Sequence, residues 1–347
     1  MISHKTTFHS PEETTFMKRR LALGAVGAAA AWSLSPAALS QTASSARFPS
    51  RPVRLIIPFA AGQGSDLLAR ALSDRLAKAW GQPVVVENRP GANGAIALQE
   101  VAKSAPDGHT LLLTSNSPLV INPNLYKKLA YDVARDFKPI TMMALTDMVL
   151  VVHPSFAGRT WKEVAATIKA HPGRFSYGSP GTGSTSNLCM EIFKQEIGGD
   201  VVHAPYKGSA PAMVDLMSGT LHLMIDALPS ALPHIRTGRV RAIGLTGTKP
   251  SSLAPEIPTS ADAGLQHLPE GAWYGILAQG GTSEATVSAI YAQLRDILAQ
   301  PDMQQRIRDQ GLENTASLTP AQFADFIARD TQYWEKNTRR LGVFQSE

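Results

Sequence analysis

Val53-Arg54-Leu55-Ile56-Ile57-Pro58-Phe59 runs straight into Ala60-Ala61-Gly62-Gln63-Gly64-Ser65-Asp66, and that change of character decides the fold. The first half is a short apolar run rich in β-branched residues, which reads as a buried strand. The second half is small and glycine-rich, so the chain turns tightly there. From Asp66 to Trp80 the apolar residues Leu68, Leu72 and Leu76 recur every fourth position, one face of a helix.

The same alternation extends outward. Val84-Val85-Val86-Glu87 reads as a second strand. Pro90-Gly91-Ala92-Asn93-Gly94 turns into a helix through Lys103. After the turn signal Pro106-Asp107-Gly108, His109 to Thr114 reads as a third strand. This β-α-β-α-β order predicts a parallel sheet with helices on both faces. The pattern then restarts. Met148 to Val152 reads as a strand crossing between two lobes, Phe175 to Gly178 as a short strand, and Ser184 to Ile197 as a helix stopped by Gly198-Gly199. Ser209 is expected to cap a helix through Ser218, followed by a strand at Leu221 to Ile225. A helix from Pro229 to Thr237 and a strand from Val240 to Leu245 complete this block. Trp273 to Ala278 reads as a strand returning to the first lobe. Helices are expected at about 284–299, 302–310 and 320–341, the last with Thr319 as N-cap, Pro320 at N1 and Gly342 beyond its end. Lobe one is therefore expected at 48–150 plus 273–347 and lobe two at 151–272, two doubly wound α/β lobes joined by two crossing strands with a cleft between them.

Composition narrows the function. Hydrophobic residues make up 44% and charged residues 18% of 347, a globular balance with room for two cores. Of the formal +5, residues 1–40 hold +2: Lys5, Lys18, Arg19 and Arg20 against Glu12 and Glu13. The rest of the basic charge is scattered, without the dense stripe that nucleic-acid binding needs. Lys18-Arg19-Arg20, the apolar run Leu21 to Leu34 and the small residues after it read as a cleaved secretory signal within 1–43. Met17 is the expected start and cleavage falls near Ser40–Ala43. The paired arginines also allow a twin-arginine route. Cys189 is the only cysteine, so no intrachain disulfide forms. The expected location is the periplasm.

Two loops carry the chemistry. The first, Ala60 to Asp66, sits between strand and helix, where small residues admit a ligand and first-turn N–H groups attract an anion. A tight turn with Ser65 as a plain N-cap is the competing reading. The second, Gly178-Ser179-Pro180-Gly181-Thr182-Gly183-Ser184-Thr185-Ser186, repeats the device in the other lobe, and both stand at carboxyl ends of predicted strands, where open α/β sheets bind ligands. Neither matches a P-loop or completes Gly-x-Gly-x-x-Gly, so a nucleotide is not expected. Ser115 and Asn116, ending the third strand, offer a hydroxyl and an amide; the alternative is a polar loop. Tyr206 is placed to close over a ligand, with Lys207 beside it left to solvent. Asp226 is placed to accept an ammonium or to orient the hinge. No Gly-x-Ser-x-Gly, His-Glu-x-x-His or Cys-x-x-Cys is present, and the nine histidines are dispersed. No cofactor or metal is expected, and the chain reads as a binding protein and not an enzyme.

In this order and spacing, several fragments resemble one family. They are Pro52-Val53-Arg54-Leu55-Ile56-Ile57-Pro58-Phe59 with Ala60-Ala61-Gly62, then Val86-Glu87-Asn88-Arg89-Pro90-Gly91-Ala92 and Pro106-Asp107-Gly108. Tyr177 to Ser184, Tyr206-Lys207-Gly208 and Pro258-Thr259 follow. The chain is similar to substrate-binding proteins of tripartite tricarboxylate transporters, also called Bug receptors, over about 48–345. The resemblance implies a periplasmic-binding-protein fold of type II-like character and ligands with a carboxylate: di- or tricarboxylates, amino acids or aromatic acids. It implies that the acid is held by loop N–H groups, hydroxyls and waters. Carried over by position, the contacts are Phe59, Ala60, Ala61, Gly64, Ser65 and Asp66 in the first loop and Ser179, Gly181, Thr182, Gly183 and Ser184 in the second. Two departures stand out: Gln63 replaces a glycine common in the first loop, and Ser115-Asn116-Ser117-Pro118 replaces a Gly/Thr-rich segment. The expected partners are a small organic carboxylate and either membrane transporter subunits or a sensor, with the chain a monomer. A secreted hydrolase using Ser184 or Asp66 is the rival class, and it lacks an identifiable base.

Overall fold

The structure is a computed structural model that describes residues 48–61, 64–314 and 318–343. The expected signal region at 1–43 and the substitution at Gln63 lie outside the described residues. In chain order the first part is β1 (Val53–Ile57), α1 (Gly64–Trp80), β2 (Val84–Asn88), a short turn of 3₁₀ helix at Ala92–Gly94, α2 (Ala95–Ala102) and β3 (Thr110–Ser115). A π-helical turn at Ser117–Ile121 leads to α3 (Asn122–Leu125), α4 (Val133–Asp136) and β4 (Phe137–Thr146). The middle part is β5 (Met148–Val152), α5 (Trp161–Ala170), β6 (Ser176–Ser179), α6 (Thr185–Ile197) and β7 (Val202–Pro205). It continues with α7 (Ser209–Ser218), β8 (Leu223–Ala227), α8 (Leu228–Arg236) and β9 (Arg241–Leu245). The chain closes with β10 (Ala272–Gln279), α9 (Glu284–Leu298), α10 (Pro301–Asp309), β11 (Glu313–Asn314) and α11 (Pro320–Leu341).

These strands form two sheets, ordered β11-β4-β10-β3-β1-β2 and β7-β6-β8-β5-β9. Each is mixed where a parallel sheet was expected. β1 runs parallel to β2 and β3, and β6 to β7 and β8, as βαβ units require. β10 and β4 are antiparallel to their neighbours in the first sheet, and β5 in the second. The reason is topological. β10 and β5 each receive the chain from the other sheet and so run against the βαβ strands, while β4, antiparallel to β10, runs with β3 and leads out. Met148–Val152 is a strand as its apolar run suggests, and it lies wholly inside the second sheet between β8 and β9. The chain changes sheets at Asp147 and returns at Gly271, beside which Ala272 pairs with Thr146. Gly271 is needed there: a Cβ would stand 2.3 Å from the Thr146 carbonyl oxygen.

Alternation within β1 sends Val53, Leu55 and Ile57 to the α1–α9 side and Ile56 to the α2 side. α7 and α8 cover one face of the second sheet around Met213, Leu216, Met224 and Leu228. The remaining faces share one apolar cluster, from Leu98 and Leu112 through Trp273, Phe323 and Trp334 to Leu188, Ile192 and Phe193. Each such fully buried leucine or isoleucine contributes about 1.5–3 kcal/mol. α11, which packs on β4, also reaches α6, where Gln195 Nε2 donates to the Arg340 carbonyl at 2.9 Å. Its capping box at Thr319 and Gln322 and its left-handed Gly342 end match the sequence signals. α6 is thus gripped at its C-terminal end and offers its N-terminus to the first sheet.

Candidate functional site

The second loop is wired largely to itself. Ser184 caps α6, accepting from Asn187 N–H at 3.2 Å, and its hydroxyl donates to Gly181 O at 2.7 Å. Gly181 N–H donates to Ser179 Oγ at 3.2 Å, and Gly183 N–H to Asn187 Oδ1 at 2.9 Å. Ser179 Oγ also shares a 2.7 Å hydrogen bond with His203 Nε2, whose ring stacks on Tyr177. Burial holds the His203 pKa below its ordinary value. Gly181, Gly183, Ser179 and Ser184 therefore spend these donors on the shape of the loop. Thr182 is exposed, and the first-turn N–H groups of Thr185 and Ser186 carry no partner.

The first loop is braced from β2. Asn88 Nδ2 donates to Phe59 O at 2.9 Å and to Asp66 Oδ1 at 3.1 Å, while Arg70 Nε donates to Asp66 Oδ2 at 3.0 Å. Asp66 is 2% exposed, so its carboxylate anchors the first turn of α1. α1 begins at Gly64, which places Ser65 inside the helix and not at its cap. Ser65 is buried. Ala60 and Ala61 are exposed at the tip.

The second loop meets the first sheet at the end of β3. Asn93, in a left-handed conformation at φ 46°, donates from Nδ2 to Ser117 Oγ and Asn122 Oδ1, both at 2.8 Å, and to Gly183 O at 3.2 Å. Ser117 Oγ donates to the same carbonyl at 3.1 Å. Next to Asn93, a Cβ on Gly94 would stand 2.5 Å from Pro118 Cγ and 3.1 Å from Pro58 Cβ, so the Asn93-Gly94 step packs against the ends of β1 and β3. Thr185 Oγ1 donates to Asn116 Oδ1 at 3.1 Å. Asn116 is 1% exposed, and its Nδ2 has no hydrogen-bond partner. Ser115 and Ser186, next to Asn116 and Thr185 in the chain, are buried as well. Around this junction stand neutral donors from both sheets, with no lysine or arginine bonded to any of them.

Asp226 lies on β8, 2% exposed, under the start of α7. Ser209 does not cap α7: Gly208 occupies that position, and the Ser209 hydroxyl donates to Asp226 Oδ2. Burial raises the Asp226 pKa to about 6 against the pull of Ser209 and the Ala227 N–H. Tyr274 on β10 is pushed up to about 12, first by burial and then by the Asp226 charge, which ties this carboxyl to the first sheet. Tyr206 turns toward α7, where its hydroxyl donates to Asp215 Oδ2 at 2.5 Å. Asn93, Ser117 and Thr185 were not among the expected contacts, although Thr185 and Ser117 stand in the polar segments quoted for the site; for Asn93 the Asn-Gly turn was the available signal. A surface concavity of about 470 Å³ opens elsewhere, between Ile235, Arg241 and Pro258, with no junction residue in its wall. Among the described residues no cluster of three or more His, Cys, Asp or Glu could hold a metal ion, and no helix is long and apolar enough to cross a membrane.

The chain is similar to known proteins over most of its length. The family described as tripartite tricarboxylate transporter family receptor (TctC) matches residues 68–343. Protein BugT of Bordetella pertussis is 34% identical over 311 residues, 89% of this chain and 95% of that protein. Rpa4515 of R. palustris, solved with adipate, is 31% identical with a TM-score of 0.79, over 85% of this chain and 98% of that one. MatC of Rhodopseudomonas palustris, solved with bound malate, is 30% identical with a TM-score of 0.77, over 84% and 99%.

Proposed function

Because this chain belongs to the tripartite tricarboxylate transporter receptor family, we propose that it captures a small organic carboxylate between its two α/β halves in the periplasm and hands it to a transporter of that type. The observation that carries the reading is the buried Asn116 amide nitrogen, which stands without a protein partner where the halves meet. Ser115 closes β3 beside it, and Ser186 lies in the first turn of α6. A carboxylate leaving water needs several donors at once, and helix N-termini with hydroxyls and an amide supply them. In this reading the lobes are the two sheet units, exchanging near Asp147 and Gly271.

The receptor reading is favoured over hydrolysis by the state of the nucleophile candidates. The Ser184 hydroxyl is committed to Gly181 O, and Asp66 to Asn88 and Arg70. The Ser179–His203 contact has the pairing of a nucleophile and a base, but Ser179 is 0% exposed beneath Gly181, out of reach of a substrate carbon. The test is a thermal-shift and calorimetric screen of organic acids that includes adipate, malate and the monocarboxylates hexanoate and butyrate. A ligand at about 100 times its Kd is expected to add about 2.7 kcal/mol to stability. Silence across the panel from a folded protein refutes the proposal.

A further inference from the structure

We infer that Asn116 is a specificity-determining residue whose side-chain amide reads a second oxygen-bearing group of the ligand, and that Thr185 from the opposite half sets its direction. The inference rests on the receptor reading and names the ligand class within it: acids with at least two oxygen-bearing groups, dicarboxylates before monocarboxylates.

Asn116 ends β3 in the first sheet, and Thr185 opens α6 on the second. Both are buried, at 1% and 7% exposure. The Thr185 hydroxyl donates to Asn116 Oδ1, which leaves both hydrogens of Nδ2 facing away from that contact, with no acceptor in the protein. An amide with one end tied and the other unsatisfied is built to donate to something else. That contact spans the halves, so the amide takes its direction only where they meet. Closure and recognition are therefore the same event at this residue.

The count of donors gives the ligand class. Asn116 Nδ2 offers two hydrogens, the hydroxyls of Ser115 and Ser186 one each, and the first turn of α6 further N–H groups. One carboxylate accepts about four hydrogen bonds. The donors exceed that capacity and come from opposite halves, so one end of an acid alone leaves the Asn116 amide or its neighbours unmatched. A site made to hydrogen-bond an oxygen rejects the analogue lacking it far more strongly than an apolar pocket rejects a missing methylene.

The test uses the full chain and the acid panel above, comparing wild type with Asn116→Asp, Asn116→Ala, Thr185→Val and Thr185→Ser by calorimetry. Asn116→Asp keeps the shape and the oxygen that Thr185 bonds, replaces the donor with an acceptor and sets a charge against an anion. It is expected to weaken the best diacid at least about 100-fold. Asn116→Ala is expected to lose about tenfold on that diacid, to leave the matching monoacid within about twofold and so to narrow the ratio between them. Thr185→Val lets the amide rotate and is expected to lose several-fold, to be rescued by Thr185→Ser, and to cost nothing further in the Asn116→Ala background. Unfolding curves confirm that each variant is folded. Asn116→Asp binding the diacid within twofold of wild type overturns the inference, as expected if the amide presented its oxygen instead. A wild type that prefers the monoacid overturns it too. A wild type silent across the panel removes the receptor reading and this inference with it.

Discussion

Removing both donors to the Gly183 carbonyl isolates what holds the halves together. Asn93 Nδ2 and Ser117 Oγ are the two groups from the first sheet that reach it, at 3.2 and 3.1 Å. In Asn93→Ala the carbonyl keeps Ser117, so the contact between halves loses one ordinary hydrogen bond, about 0.5–1 kcal/mol, or a two- to fivefold weaker affinity. In Asn93→Ala/Ser117→Ala the carbonyl of the buried Gly183 has neither partner. Leaving a buried acceptor unpaired costs about 1–3 kcal/mol, so about 2 kcal/mol, or roughly 30-fold, is expected. The loss is more than additive because either donor alone satisfies the oxygen.

The same change also strikes the fold, and the two effects separate. Asn93 sits at φ 46° and bonds Asn122 in both directions, its own carbonyl accepting from Asn122 Nδ2 at 3.1 Å. Alanine tolerates that conformation worse than asparagine, by about 1 kcal/mol, so Asn93→Ala also lowers the unfolding free energy. A domain with several kcal/mol in hand remains almost wholly folded after such losses, so binding measured on it reports the junction alone. Asn93→Gly supplies the control: it relieves the backbone, recovers stability and keeps the weaker binding. Calorimetry with the best acid from the panel gives the affinity, and urea unfolding gives the stability. A double variant binding within twofold of wild type refutes the claim that this carbonyl latches the halves.

Two further outcomes follow from single groups. The native Asp226 carboxyl titrates at about 6 and an unfolded aspartate near about 4, so the native state binds more protons between those values. Stability therefore falls as pH rises through about 4–6, by up to about 3 kcal/mol, and stays lower above it. Asp226→Asn is expected to be more stable than wild type at pH 7.5, with the gap in Tm shrinking toward pH 4.5; a gap independent of pH refutes the assignment. Asp330 is raised to about 6 by burial as well, so the wild-type profile keeps part of its slope in the variant. Gly271→Ala sets a Cβ 2.3 Å from the Thr146 carbonyl oxygen, where one crossing passes the other. Backbone cannot yield as a side chain does, and a loss of about 2–4 kcal/mol in urea unfolding is expected; a midpoint within error of wild type refutes that close approach.

How much of this was legible in the sequence depends on the range of each signal. The α6 start at Ser184 and the α11 capping box are written in consecutive residues, and the structure has them there. Strand direction is not local: Met148–Val152 announces a strand by composition, but only its partners β8 and β9 decide that it belongs to the second sheet and runs antiparallel. β4 escaped notice because Lys138 and Pro139 break its apolar run, and β10 pairs with it regardless. Ser209 was misread for a physical reason: a hydroxyl takes the best acceptor available, and Asp226, 17 residues on, outcompetes the helix end that Gly208 already starts. The site follows the same rule. Ser115, Asn116 and Ser65 were named because hydroxyls and amides at strand ends point toward ligands in such sheets. Their partners were not named, because Thr185 lies 69 residues from Asn116 and Gly183 lies 90 from Asn93. A single sequence carries which groups can donate. Which of them the fold leaves without a partner is set by the packing of α6 against the end of β3, and that remainder is what a ligand meets.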